Sequence, residues 1–323
     1  MTTLYLAPLR GLTDAIFRNA FAKHFGGFDL AVAPFVTSVK GNKIKPTHIK
    51  DLAPEINKKI PVIPQILSKN PEEFIILAKS FYDIGYKNIN WNLGCPYPMV
   101  AKKKRGAGLL PYPEIIQSFL DKVMPAIPNK LTIKTRLGMN KPDEIYKIIP
   151  IFNNYPIEEL IIHARTGKQM YEGKTNLEFF GPCIDLSVHQ IAYNGDINSL
   201  EIYENLKQRF PTITKWMIGR GAIENPFLPL IIKKQTDKLD NQIKLIKNFH
   251  DELFDKYREI LYGPGHLLGK MKGLWFYLSN FFNDGKMWLK KIQKTKKINK
   301  YNKIIGDLLS EDNIKLNSSL SNK

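Results

Sequence analysis

Cys95 stands in Asn92-Leu93-Gly94-Cys95-Pro96, directly after the apolar run 88–91, and Gly94 and Pro96 end a strand there and set the angle at which the thiol leaves it. A thiol with an ordinary pKa of about 8.5 is mostly protonated at neutral pH, so it can release a proton as negative charge builds on a neighbouring carbon. A carboxylate would already be ionised. The competing reading of a free cysteine is a small buried hydrophobe. The residues at the same level of the other apolar runs argue against it: their C-terminal ends gather Pro8, Gln65, Asn92, Lys134, Arg136, His163, Arg165, Asn194, Asp196, Gly219 and Arg220. Polar groups that recur at one level of a strand layer line a site rather than fill a core.

Lys134, in Thr132-Ile133-Lys134-Thr135-Arg136, is a cation on an otherwise apolar strand, which is unfavourable unless it meets an anion or an electron-rich ring. A flavin is such a partner. Lysine beside its N1/C2 edge favours the anionic reduced form, and Gln65 and His163 are placed to hold ring or ribityl oxygens. The loops Tyr193-Asn194-Gly195-Asp196 and Ile218-Gly219-Arg220-Gly221-Ala222 carry glycines that let backbone N–H groups approach a phosphate, and Arg220 adds a charge.

These residues need a scaffold that brings strand ends together. Short apolar runs recur at 4–7, 30–35, 62–67, 88–91, 131–135, 159–164, 190–193 and 215–218, with helical stretches between them. The stretch 71–86 opens with Asn70 as N-cap and Pro71 at the first helical position; 113–124 and 142–153 also begin at proline, and 199–210 follows the seventh run. The expected fold is a (β/α)₈ TIM barrel over residues 1–234, with its site at the C-terminal strand ends. A doubly wound open sheet would call for Gly-x-Gly-x-x-Gly after the first strand, and none is there. From residue 235 the pattern changes to long amphipathic stretches, 241–262 and 266–282, parted by Gly263-Pro264-Gly265, so a small helical domain is expected over 235–311. The polar segment 312–323 reads as a disordered tail.

Composition narrows the partners. The chain has 323 residues, is 43% hydrophobic and contains no run of about eighteen apolar residues, so no membrane span is expected. Met1 leads straight into a strand without a charged n-region, which points to a cytoplasmic enzyme. Two cysteines, at 95 and 183, without Cys-x-x-Cys or clustered histidines, argue against a disulfide framework or a metal site. Lys+Arg 48 against Asp+Glu 30 gives +18 and a pI near 9.6, a field suited to a polyanion, nucleic acid first. Over-use of lysine, isoleucine and asparagine by an AT-rich genome is the competing explanation. The segment 286–303 holds eight lysines and no acid, with Trp288 and Tyr301 interleaved, and suits a phosphate-backbone surface as well as it suits a solvated helix face.

Taken in order, Ala7-Pro8-Leu9-Arg10-Gly11-Leu12-Thr13-Asp14, Asn92-Leu93-Gly94-Cys95-Pro96, Lys104-Arg105-Gly106-Ala107-Gly108-Leu109-Leu110, Ile133-Lys134-Thr135-Arg136-Leu137-Gly138, His163-Ala164-Arg165-Thr166, Asn194-Gly195-Asp196-Ile197 and Met217-Ile218-Gly219-Arg220-Gly221-Ala222 resemble the tRNA-dihydrouridine synthases of bacteria. The resemblance spans residues 4 to 280 and implies an FMN-bound barrel, a helical domain, tRNA gripped across both, and NADPH or NADH as electron donor. It makes Cys95 the general acid that protonates C5 of uracil while the flavin delivers hydride to C6, with Asn92 orienting the base. It puts flavin contacts on Pro8, Leu9, Arg10, Gln65, Lys134, His163, Asn194, Gly195, Asp196, Gly219 and Arg220, and substrate contacts on Arg165 and Tyr171. The family usually has methionine where Leu9 stands and a small or acidic residue at Arg10. A monomer is expected from the strongly charged surface. Two other readings stay open: a flavin barrel acting on a free pyrimidine, and a non-catalytic RNA-binding barrel.

Overall fold

The computed structural model describes residues 2–38, 49–235 and 239–310. Strands and helices alternate: β1 Thr3–Leu6, α1 Ala15–His24, β2 Leu30–Val32, β3 Val36–Thr37, β4 Val62–Ile63, β5 Gln65–Leu67, α2 Pro71–Asp83, β6 Asn88–Leu93, α3 Pro113–Val123, β7 Lys130–Gly138, α4 Ile145–Phe152, β8 Ile157–Thr166, α5 Leu177–Leu186, β9 Gln190–Asn194, α6 Leu200–Arg209 and β10 Lys215–Ile218. Helix starts follow local chemistry. The Asn70 side chain accepts the Glu73 N–H at 2.7 Å with Pro71 next to it, and Ser199 accepts the Ile202 N–H at 3.2 Å.

The expected closed barrel of eight strands is not what forms. Ten strands, all paired in parallel, make one open sheet in the order β3-β5-β6-β7-β8-β9-β10-β1-β2-β4, whose end strands β3 and β4 are not paired with each other. The difference lies at the runs 30–35 and 62–67, each expected as one strand: the first stops as β2 at Val32, with β3 following just beyond it, and the second is split into β4 and β5. Pro34 and Pro64 stand at the breaks, and proline has no N–H to give a ladder. The front pieces then pair as β2 with β4 and the rear pieces as β3 with β5, so the sheet ends twice instead of closing once.

Helices cover the outside of the sheet, where Trp91 stacks on Phe119 with centroids 4.1 Å apart and planes 12° apart. The opposite face carries a smaller apolar group, Tyr5, Ala7, Val32, Ile161, Ala192 and Met217. After the short helices Arg220–Glu224 and Leu228–Lys234 come α7 Gln242–Ile260, α8 Gly263–Leu278, α9 Gly285–Lys294 and α10 Ile298–Leu308. They share the main core: Phe249 of α7 lies edge-on against Phe17 of α1 and Phe25 just past its end, with centroids at 5.6 and 4.9 Å. Asp14 is a polar joint between the two regions. It caps α1 through the Phe17 N–H at 3.0 Å, accepts the Tyr257 hydroxyl at 2.8 Å and meets the Lys270 ammonium.

The lysine-rich segment falls on α9 and α10, but its aromatics do not face out with the lysines. Trp288 and Tyr301 are buried, and the Tyr301 hydroxyl accepts the Trp275 indole N–H at 2.9 Å and bonds His250 Nε2 at 2.8 Å. The segment expected as a tail lies outside the described residues. No helix among the described residues is long and apolar enough to cross a membrane.

Candidate active site

Cys95 is held from several sides just past β6. The Asn92 side-chain oxygen accepts the N–H of Gly94 at 3.1 Å and of Cys95 at 2.9 Å, which turns the chain out of the strand. Arg136 donates through Nε to the Gly94 carbonyl at 3.0 Å, and Ala107 N–H donates to the Cys95 carbonyl at 3.0 Å. Gly106 makes that last approach possible: its φ is +57°, and a Cβ there would sit 2.6 Å from the Cys95 carbonyl oxygen. The thiol is partly exposed and borders a cavity of about 120 Å³ that Arg10 and Tyr171 also line. Burial pushes the thiol pKa up, against the Tyr97 backbone hydrogen bond and the charges of Arg136 and Arg10.

Behind Asn92 runs a chain of side-chain hydrogen bonds with one sense. The Asn92 amide donates to Gln65 Oε1 at 2.7 Å, Gln65 Nε2 to Asn90 Oδ1 at 2.7 Å, Asn90 Nδ2 to Thr132 Oγ1 at 2.8 Å, and the Thr132 hydroxyl to the Ile89 carbonyl at 3.0 Å. All four side chains are buried. Because each amide must spend its oxygen and its nitrogen on a fixed neighbour, no member can flip without breaking two bonds. Asn92 therefore has a set orientation from which to hold Cys95.

A second cavity, of about 240 Å³, adjoins the first and shares Pro8, Leu9, Lys134, His163, Tyr171 and Arg220 with it, so the two form one cleft at the C-terminal strand ends. Lys134 Nζ donates to Asn194 Oδ1 at 2.6 Å, and the Asn194 amide is fixed by the Met217 carbonyl at 2.9 Å. Burial first, then the Arg136 charge, lowers the Lys134 pKa from 10.5 to about 7. Burial and the cations of Arg136, Lys134, Arg165 and Arg220 hold His163 well below its ordinary value, so its ring is neutral. Gly195 and Gly219 border this cavity beside Asp196. A Cβ on Gly195, whose φ is +150°, would come within 2.9 Å of Thr175 and Tyr193. A Cβ on Gly221, also in the wall, would meet the Ile197 carbonyl at 2.1 Å. Bare backbone is thus enforced on this wall.

Among the residues expected from the sequence, Pro8, Leu9, Arg10, Asn92, Cys95, Lys134 and His163 border the cleft, as do Tyr171, Asn194, Gly195, Asp196, Gly219 and Arg220. Gln65 and Arg165 do not. Gln65 is fully buried in the amide chain. Arg165 grips both carboxylate oxygens of Asp196, one at 2.8 Å, and the carbonyls of Glu172 and Gly173, which pins the loop carrying Tyr171. Asp196 also accepts from Arg220 at 3.0 Å. Arg10, exposed, lies over Phe35 at 5.4 Å. Tyr97, Tyr277 and Glu224 line the cleft without having been expected there. Only Tyr97, two residues past Cys95, carries a local signal. Among the described residues no group of acids, histidines and cysteines is arranged to hold a metal.

The buried cations and backbone-only wall fit an anionic, planar cofactor. Among the described residues Lys134 has a neutral amide oxygen as its hydrogen-bond partner, an arrangement that an anion would relieve. The family model described as dihydrouridine synthase (Dus) matches residues 5–310. The tRNA-dihydrouridine synthase B of Pasteurella multocida is 28% identical over 240 residues, 73% of this chain and 70% of that protein. The tRNA-dihydrouridine(16) synthases of Pseudomonas putida and Neisseria meningitidis serogroup B are 28% and 29% identical, over 83% and 87% of this chain and 85% and 89% of theirs. In fold the chain is similar to the old yellow enzyme homologue from Zymomonas mobilis, with a TM-score of 0.52 at 9% identity, over 75% of this chain and 91% of that one. With a family match that runs through nearly every described element and takes in the whole cleft, the chain belongs to the dihydrouridine synthase family.

Proposed function

We propose that this protein is an FMN-dependent tRNA-dihydrouridine synthase that reduces the C5=C6 bond of a uridine in tRNA, with NADPH or NADH as the source of electrons. The observation that carries the reading is that a thiol whose pKa burial raises and a buried lysine whose described hydrogen-bond partner is a neutral amide oxygen share the walls of one cleft. Family membership supports the flavin and the tRNA substrate. When bound, reduced FMN supplies the hydride that C6 takes up.

The chain's own groups do the rest. Lys134 and Asn194 would hold the cofactor's ring system, and His163, neutral, would give or take a hydrogen bond without adding charge. Asp196, tied to Arg165 and Arg220, fixes the glycine loops that receive the phosphate end. Cys95 presents its proton to C5 from the neighbouring cavity, because Asn92 and Gly106 set the direction of its backbone. The substrate base leaves its stack to enter, which is easiest for a loop nucleotide. The relatives' names include position 16, and mapping dihydrouridines in tRNA from a deletion strain gives the position for this protein.

The test is Cys95→Ala. The purified variant keeps a yellow, FMN-like absorption spectrum and forms no dihydrouridine in unmodified tRNA by mass spectrometry of the digest; product at the native level would remove Cys95 from the chemistry.

A further inference from the structure

Three tyrosines from distant stretches of chain converge on the cavity that holds Cys95: Tyr97 from the loop after β6, Tyr171 from the loop after β8, and Tyr277 from α8. Tyr171 is the inner one, with the guanidinium of Arg136 5.3 Å and that of Arg220 4.8 Å from its ring centre. Tyr97, 53% exposed, and the half-buried Tyr277 form the rim. Neither of their hydroxyls makes a hydrogen bond to another described residue.

The rim continues outward, and Arg10, Arg136 and Arg220 line the cleft beneath it. Phe276, 57% exposed, lies edge-on to Tyr277 with centroids 5.0 Å apart at 84°. Lys270 of the same helix donates to the Gly11 carbonyl at 2.7 Å and meets Asp14, which ties α8 to the loop carrying Arg10. Folding alone gives no reason to leave aromatic rings exposed among cations at the mouth of a cleft. That combination is what holds unpaired nucleotides: cations follow the phosphates and ring faces stack on bases regardless of sequence.

We propose that Tyr97 and Tyr277 are stacking platforms for the unpaired nucleotides flanking the uridine that enters the cleft, so that α8 supplies part of the wall of the reaction site. This rests on the tRNA reading above. It makes the helical region a positioning element for the base as well as a grip on phosphates.

The experiment measures binding of the full-length flavoprotein to an unmodified tRNA transcript by fluorescence anisotropy across a series of salt concentrations, for Tyr277→Ala, Tyr277→Phe and Tyr97→Ala. Each alanine variant is expected to bind roughly 5- to 150-fold more weakly, the worth of one stacked base. Tyr277→Phe keeps the ring and should stay within about twofold of the native protein. The slope of log affinity against log salt should not change in any of them, since no phosphate contact is lost. Native binding by both alanine variants, a Phe variant as weak as Tyr277→Ala, or a slope reduced by about one unit would each overturn the proposal. If Tyr277→Ala unfolds, Tyr97→Ala on its exposed loop decides by the same criteria. Failure of the native protein to bind tRNA would instead refute the function on which the proposal rests.

Discussion

Replacing Asn90 by leucine cuts the amide chain at its centre. Leucine is close in volume but neither gives nor takes a hydrogen bond, so Gln65 Nε2 loses its acceptor at 2.7 Å and Thr132 Oγ1 loses its donor at 2.8 Å. The residue is fully buried. A stranded buried donor costs about 1–3 kcal/mol and a lost neutral bond about 1 kcal/mol, which sums to roughly 2–4 kcal/mol. In a chain of this size that lowers Tm by on the order of 3–6 °C. Because Asn90 and Thr132 share a bond, the double variant with Thr132→Val should lose less than the sum of the singles, with a coupling of about 1 kcal/mol. Gln65, freed at one end, then holds Asn92 less firmly, and the tRNA-dependent oxidation of the reduced flavin should slow at least about tenfold through misplacement of Cys95. Urea denaturation of the four proteins of the cycle and stopped-flow oxidation by tRNA measure both. A loss below about 0.5 kcal/mol, or strictly additive singles, would show that the chain does not act as a unit.

Two expectations concern pH. Lys134 has its pKa lowered from 10.5 to about 7 in the folded protein, so between those values the unfolded chain binds the extra proton; stability of the cofactor-stripped protein therefore rises with pH through that window, by up to about 1.4 kcal/mol per unit, and the burial cost is fully present below pH 7. Urea midpoints at pH 6, 8 and 10 should show this slope in the native chain and its absence in Lys134→Met; equal slopes would contradict the assignment. The Cys95 thiol, pushed above its ordinary value by burial, should give a tRNA-dependent rate that is flat through neutral pH and falls only on the alkaline side. An inflection near neutrality traced to Cys95 would mean that the thiolate, not the thiol, is the resting form.

Much of the cleft's lining was legible because polar residues sit at strand ends, where apolar patterning stops and a lone lysine or histidine stands out. Lys134, His163, Asn194 and Cys95 were expected there and do border the cleft, and the helix start at Asn70 was read from its cap. The closed barrel was not found, although its cause was visible: Pro34 and Pro64 stand inside runs read as continuous, and a missing N–H divides a strand whatever its hydrophobicity. Asn90 also left a signal, since Asn88, Asn90 and Asn92 alternate along β6, and polar residues at period two on a buried strand must find partners on one face. Arg165 was recognised as important but given to substrate, because its partners Asp196 and the carbonyls at 172 and 173 are brought to it by loops whose paths no local pattern reports. Tyr277 lies beyond such reasoning altogether. It reaches Cys95 only because α8 packs back over the first loop.

The aspartate that begins α1 has a wider meaning. Its carboxylate is claimed at once by a helix start beside the first sheet loop and by two side chains of the C-terminal helices, while Phe249 fills the space among the α1 phenylalanines. The two halves are therefore not a catalyst with a detachable handle. Exchanging the C-terminal helices for those of another relative would leave an uncapped helix and a bare aromatic face in the half that carries Cys95, so any change in those helices has to be made through substitutions that keep that shared joint intact.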